Sequence, residues 1–401
     1  MKILNVISSI NPAGGGPIEN LKQSGRCLEE LGHSVEVASL DAPTQYVKDF
    51  PLKLHALGPS YTSYRYSKHL VPWLKLNAHL YDCIIVRGIW QYSGFGVWRA
   101  LKWLEQNQKT TPPYFVFTHG MLDPWFKHAY PLKHLKKWLY WPWAEYRILR
   151  DAKAVFFTSE TEKILARQSF ELYQCNEIVV NYGTASPPED AYRQIQYYLE
   201  RFPELRSKRI VLFLSRIHPK KGCDILIKAF SQIAQTDPNL HLVIAGPDQT
   251  GWQSNLQSLA KQLGIEQNIT WTGMLQGDLK WGAFRTAEVF ILPSHQENFG
   301  IVVAEALACR LPVLISNKVN IWREIVADQA GFVEEDTFEG TVKLFKRWIE
   351  LLSSQQDLMS INAENCFTKR FQVNRAALNL VDILENTVFD VHKKKNSLSM
   401  N

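Results

Sequence analysis

The sequence predicts an α/β protein built from two doubly wound parallel sheets, each the centre of its own domain. Three observations carry this. Short apolar runs alternate with amphipathic helical stretches along the first part of the chain, the alternation breaks at Gly183–Lys208, and it restarts at Ile210. A length of 401 residues suits two or three domains at roughly 150 residues each. With 46% hydrophobic and 21% charged residues the chain is an ordinary globular one, which excludes disorder as its main state.

In order, Ile3–Ile10 reads as a buried strand, Glu19–Leu31 as a helix stopped by Gly32, and Ser34–Ser39 as a second strand. Cys83–Val86, Tyr114–Thr118 and Ala154–Thr158 are further short apolar runs. After the break come strands at Ile210–Leu214, Leu240–Ala245, Ile269–Thr272, Ala287–Leu292 and Pro312–Ser316. Helices are expected between them at Cys223–Gln235, Trp252–Leu263 and Phe299–Ala308. The last pattern, Val373–Phe389, is a long helix followed by Lys393-Lys394-Lys395 and a polar tail. The expected organisation is therefore residues 1–183 as one Rossmann-like domain, 184–208 as a linker and 209–372 as a second such domain. Residues 373–401 form a helix returning to the first domain and a tail. Two such domains would present their strand-end loops to one another across a cleft.

The six cysteines are scattered without any C-x-x-C pair, so neither a disulfide framework nor a zinc site is signalled. No signal-peptide core and no run of about 18 apolar residues occurs, and a cytoplasmic protein is expected. Lys and Arg exceed Asp and Glu by 45 to 39, a net +6, which allows attraction to an anionic ligand or surface.

Chemistry gathers in the loops after strands. Gly14-Gly15-Gly16 follows the first strand and opens a helix, so backbone N–H groups there can approach an anion or sugar, with a plain tight turn as the lesser alternative. Glu19 stands where a dinucleotide fingerprint needs its third glycine, and Asp41 reads as a turn residue. In Ser215-Arg216-Ile-His-Pro-Lys-Lys221-Gly222, Arg216 can fork two phosphate oxygens while Lys221 supplies a point charge. Glu297-Asn298-Phe299-Gly300-Ile301 leads into a helix whose positive end favours a phosphate. Glu305 lies roughly 7 Å further along that helix, a spacing that separates a diphosphate from a ribose.

On these residues the chain resembles the family 4 glycosyltransferases of the GT-B fold over nearly its whole length. The E-x7-E element Glu297…Glu305 and the basic pair Arg216 and Lys221 carry the likeness, supported by Ala245-Gly246-Pro-Asp and Trp271-Thr272-Gly273-Met274. The resemblance implies transfer of a sugar from a nucleotide donor with retention of configuration and no metal or other cofactor. It assigns the donor phosphates to Arg216 and Lys221, the ribose to Glu305, and the donor sugar to Glu297, Asn298 and the amides of Phe299, Gly300 and Ile301. Gly15 and Gly16 would close on the diphosphate, Gly246 would be one of the donor-binding residues, and Thr272 and Met274 would flank the base. His119, after a strand of the first domain, matches the family's histidine at the donor sugar, with a contact role rather than that of a base. Asp123 nearby reads as a turn residue.

The stretch His119-Gly-Met-Leu-Asp-Pro-Trp125 is similar to that of cyanobacterial exopolysaccharide transferases, including those of the heterocyst envelope. That implies a UDP-hexose donor, with UDP-glucose favoured, and a growing, lipid-linked glycan acceptor. An epimerase or phosphorylase on the same fold, or a non-catalytic nucleotide-sugar sensor, are the competing readings. Finally, Trp125–Lys153 holds seven basic residues against two acidic ones and four tryptophans. Interleaved cations and indoles suit the surface of an anionic membrane, though core packing of the indoles is an equal alternative. No nucleic-acid module is present.

Overall fold

The structure, a computed structural model, describes residues 1–12, 15–45 and 50–398, with side chains up to Val388. Gly14 of the glycine run and the side chains of Lys393, Lys394 and Lys395 lie outside the described residues. The chain divides into two compact units, Met1–Gly183 together with Val373–Asn401, and Thr184–Gln372.

The first unit is a seven-stranded parallel sheet. Its strands are β1 (Lys2–Ile7), β2 (Ser34–Ser39), β3 (Lys53–Ala56), β4 (Cys83–Arg87), β5 (Tyr114–Phe117), β6 (Ala154–Phe157) and β7 (Glu177–Val179). Their order is β3-β2-β1-β4-β5-β6-β7, with Ile3 opposite Val35 on one side and Cys83 on the other. Ile3, Leu4 and Val6 are fully buried, as expected where helices cover both faces and the strand reads as a continuous apolar run. Helices α1 (Gly16–Glu30), α2 (Tyr92–Gln106), α3 (Pro131–Tyr140) and α4 (Glu160–Ala166) belong to this unit.

The second unit is a six-stranded parallel sheet of β8 (Arg209–Leu214), β9 (Leu240–Ala245), β10 (Ile269–Gly273), β11 (Val289–Leu292), β12 (Val313–Ser316) and β13 (Gly331–Glu334), ordered β10-β9-β8-β11-β12-β13. Helices α5 (Ala191–Arg201), α6 (Cys223–Ala234), α7 (Gly277–Thr286) and α8 (Ile301–Ala308) belong to this unit. The helix α9 (Val373–Leu398) follows and rejoins the first unit, lying against α1. There the Asn379 side chain accepts from Asn181 N (2.9 Å) and Asn374 Oδ1 accepts from the Cys27 thiol (3.0 Å).

The segment read as a linker is corrected by α5. Asp190 caps that helix by accepting from Arg193 N (3.2 Å), and Gln194 and Tyr198 are buried against α7. A Cβ at Gly282 of α7 would sit 2.3 Å from the Gln194 carbonyl oxygen, so the two helices touch backbone to backbone there. Residues 184–208 are thus part of the second unit rather than a spacer.

Candidate functional site

Chain order reverses between β8 and β11 in the second sheet, and such a switch point is where open α/β sheets bind ligands, at the carboxyl ends of the strands. The loop after β8 carries Arg216 and Lys221, and the loop after β11 carries Glu297 and leads into α8. The topology therefore brings together, within one unit, the residues whose sequence pattern pointed to phosphate binding.

Each loop is held by backbone approach that only glycine permits. Gly246, just past β9, has φ 144°, and a Cβ there would fall 1.8 Å from the Ser215 carbonyl oxygen. Hydrogen bonds from Ser215 N to Ala245 O and from Ile217 N to Pro247 O, each 3.0 Å, tie the two loops together. Gly222 (φ 69°) caps α6, and a Cβ there would meet Pro293 O at 2.3 Å, so the β8 loop lies directly against the β11 loop. His295 N donates to Lys220 O (2.8 Å) across the same seam.

Arg216 is exposed, its guanidinium steadied by Gln249 Oε1 at 3.1 Å. Lys221 is buried at 5% exposure, and its ammonium contacts a carboxylate oxygen of Glu297. Burial first, then the neighbouring Lys220 and Arg216, push the Lys221 pKa well below the usual lysine range. The Glu297 carboxylate is the compensating charge that makes an ammonium tolerable there. Sequence reasoning gave Lys221 and Glu297 to different parts of the donor, whereas here they are direct partners.

The second cluster surrounds Glu305. It is 8% exposed inside α8, and Lys280 of α7 reaches it at 2.8 Å. Lys280 was not singled out from the sequence, and its separation from Glu305 left no local signal. Gly300 caps α8 in the left-handed region at φ 71°, and the helix proper starts at Ile301, two residues later than the sequence suggested. Asn298 Oδ1 accepts from Asn320 Nδ2 (3.3 Å), Phe299 is buried edge-on against Phe371, and Glu297 N donates to Lys318 O (2.9 Å). Thr272 and Met274 flank Gly273 at the end of β10, with Met274 exposed. Gly273 O accepts from Gly246 N (2.8 Å), so this segment abuts the loop after β9.

In the first unit, Gly15 (φ 71°) caps α1 with Gly16 as its first residue, and among the described residues no atom would come within 4 Å of a Cβ at Gly15. Asp41 does more than turn the chain: it accepts from Ser9 Oγ (2.7 Å) and Ile10 N (2.8 Å), fixing the loop after β1. His119 follows β5 at φ 48°, stacked on Phe117 (5.3 Å between centroids) and edge-on to Tyr182. Burial, then the Arg87 charge, lowers its pKa to about 3, so the imidazole is neutral at physiological pH and a poor base. Glu162 of α4 holds this turn by accepting from Thr118 Oγ1 and Gly120 N, both 2.6 Å. It is a positioning residue that the sequence gave no reason to choose. Asp123 Oδ1 accepts from Trp125 N (2.8 Å), in keeping with a turn role.

Residues 15–181 match the model of the glycosyl transferase 4-like domain, and residues 199–365 match that of glycosyl transferases group 1. A D-inositol 3-phosphate glycosyltransferase of Segniliparus rotundus is 34% identical over 135 residues, 33% of this chain and 30% of that protein. Mannosylfructose-phosphate synthase of Agrobacterium fabrum is 31% identical over 145 residues, 35% of this chain and 31% of that one. The matches thus span under a third of these relatives' lengths. Among solved structures, the sucrose-phosphate synthase of Thermosynechococcus elongatus superposes with a TM-score of 0.75 at 18% identity, covering 96% of this chain and 99% of that one. Anabaena HepE, solved with UDP and glucose, gives 0.73 at 18% identity, covering 96% and 100%. Two parallel-sheet units in this order, matched by both family models, make the chain a member of the GT-B glycosyltransferases of family 4 type.

Proposed function

We propose that this protein is a retaining hexosyltransferase that takes its sugar from UDP-glucose and extends a lipid-linked glycan at the cytoplasmic membrane face during bacterial polysaccharide assembly, of the kind that builds a heterocyst envelope. The observation that carries the reading is the convergence of Arg216, Lys221, Glu297 and the α8 N-terminus at the switch point of the second sheet. Cations and helix amides at that point stabilise a diphosphate as it leaves. The likeness to Anabaena HepE, whose structure holds UDP and glucose, favours a uridine nucleotide and a glucosyl group.

In this reading Arg216 and Lys221 hold the diphosphate and need no metal to balance its charge. Glu305 takes the ribose hydroxyls, with Thr272 and Met274 beside the base. Glu297 and Asn298 orient the sugar with the amides of Phe299, Gly300 and Ile301. His119, Gly15 and Gly16 are assigned to the donor by the family resemblance. The bond from the anomeric carbon to the phosphate oxygen breaks as the acceptor oxygen bonds to the same face of that carbon. The acceptor proton passes to the departing phosphate, so the enzyme supplies no nucleophile.

Removing the Arg216 or Lys221 contact costs a charge-assisted bond of about 1.5–3 kcal/mol, hence at least roughly tenfold in affinity. Calorimetry with UDP on Arg216→Ala and Lys221→Ala checks this; unchanged affinity in both variants overturns the assignment. Glu297→Ala is expected to cut turnover while sparing UDP binding. Release of UDP from UDP-glucose should depend on added acceptor. A rearranged free sugar formed without acceptor would point to epimerase chemistry instead.

A further inference from the structure

The helix α3 is turned inside out. Leu132, Leu135 and Leu139 are spaced i, i+3, i+7, which places them within about 60° of one another on one face at 3.6 residues per turn. That face points to solvent: the three are 78%, 55% and 60% exposed, with Trp138 at 50% and Trp143 at 70% beside them. The opposite face carries the polar residues His134, Lys137 and Tyr140 and packs on the protein. Lys137 lies 4.4 Å over the Trp90 ring and 5.6 Å from that of Phe126, His134 stacks on Phe170 at 4.9 Å, and Tyr140 hydrogen-bonds Tyr64. A water-facing helix buries its leucines and exposes its lysines; here the leucines are left to an environment other than water.

The surrounding charge says which environment. Residues 125–144 contain no acidic side chain, and Lys127, Lys133 and Lys136 are exposed around the leucine stripe. The two acids further along are spoken for. Glu145 is buried, accepts from Trp90 N (2.9 Å), and is raised to about pKa 8 by desolvation, whereas Asp151 pairs with Arg150 at 2.8 Å. Apolar residues flanked by lysines and rimmed by indoles match a bilayer interface with anionic headgroups. A protein partner of acidic surface would match the lysines but would place its charge against five exposed apolar side chains.

We infer that α3 is an in-plane membrane anchor, its Leu132–Leu135–Leu139 stripe and Trp138 and Trp143 entering the headgroup layer while Lys133 and Lys136 contact lipid phosphates. The inference rests on the membrane-face localisation in the proposed function, to which it gives a surface, and is independent of the transfer chemistry. Vesicle binding is measured without turnover, so its failure removes the anchor and the membrane-face localisation while the transfer reaction stands or falls by its own test.

The test is flotation of the full chain with phosphatidylcholine vesicles, with and without phosphatidylglycerol, at low salt. The protein should float with the acidic vesicles, and the emission of Trp138 and Trp143 should shift to the blue. The double variant Leu135→Asp/Leu139→Asp should lose binding roughly tenfold or more, since interfacial affinity scales with buried apolar area. Lys133→Gln/Lys136→Gln should lose the preference for acidic lipid. Far-UV dichroism and a cooperative thermal melt of each variant confirm an intact fold. Absence of both flotation and emission shift in the unmodified protein overturns the proposal. So does a concentration-dependent dimer that the Leu135→Asp/Leu139→Asp variant abolishes, because a second copy would then cover the stripe.

Discussion

His119 and Glu145 illustrate how burial in one unit sets two titrations against each other. His119 has its pKa lowered from 6.5 to about 3, so the folded chain binds fewer protons there than the unfolded one. Its contribution to stability is complete above pH 6.5 and is lost as pH falls toward 3, at up to about 1.4 kcal/mol per pH unit. Glu145 is raised from 4.5 to about 8, so its contribution is complete below 4.5 and is lost as pH climbs through 8. Urea unfolding across this range should show His119→Asn flattening the acid limb and Glu145→Gln flattening the alkaline limb. A variant that shifts the wrong limb disproves the assignment. At this scale the sequence pointed to candidate donor-side residues but to few of their partners in the fold. Lys221 and Glu297 are 76 residues apart, Lys280 and Glu305 are 25 apart, and Glu162 reaches Gly120 across 42. Such pairs are made by the topology, and no local pattern announces them.

Among the elements, strands with both faces covered were readable because each is a dense apolar run. The unread strands β3, β7 and β13 all lie at sheet edges. Their residues are largely half-buried, as in Lys53-Leu-His-Ala and Glu177-Ile-Val, so the apolar signal thins out there. Helix α5 was hidden for a related reason. It buries Gln194 and Tyr198 and exposes Tyr192 and Tyr197, and it follows two prolines that read as a break. Gly246 tests how far the site depends on such element-level contacts. Gly246→Ala should force the loops after β8 and β9 apart, lowering unfolding stability by about 1–3 kcal/mol and weakening UDP binding. Gly251→Ala also carries a positive φ but meets no atom within 4 Å, and should cost less, about 1 kcal/mol of backbone strain. Equal losses in the two variants would show that steric approach at Ser215 is not what Gly246 relieves.

For the whole molecule, the division of the chain is asymmetric. The second unit is continuous from Thr184 to Gln372, whereas the first needs residues from both sides of it. A fragment of residues 184–372 should therefore melt cooperatively by itself and retain affinity for UDP. A fragment of residues 1–183 lacks α9, whose Ala377, Leu380 and Leu384 are buried, and should not fold cooperatively until residues 373–398 are supplied as a separate peptide. A fragment of residues 1–183 that melts cooperatively without the peptide would refute this. The return of α9 also bears on synthesis. Every strand of both sheets leaves the ribosome before the helix that covers α1, so the early half waits, with its apolar side bare, until the later half has been made. A chain interrupted anywhere before that helix displays this bare side, and chaperones and proteases that survey new proteins can recognise the unfinished product by it.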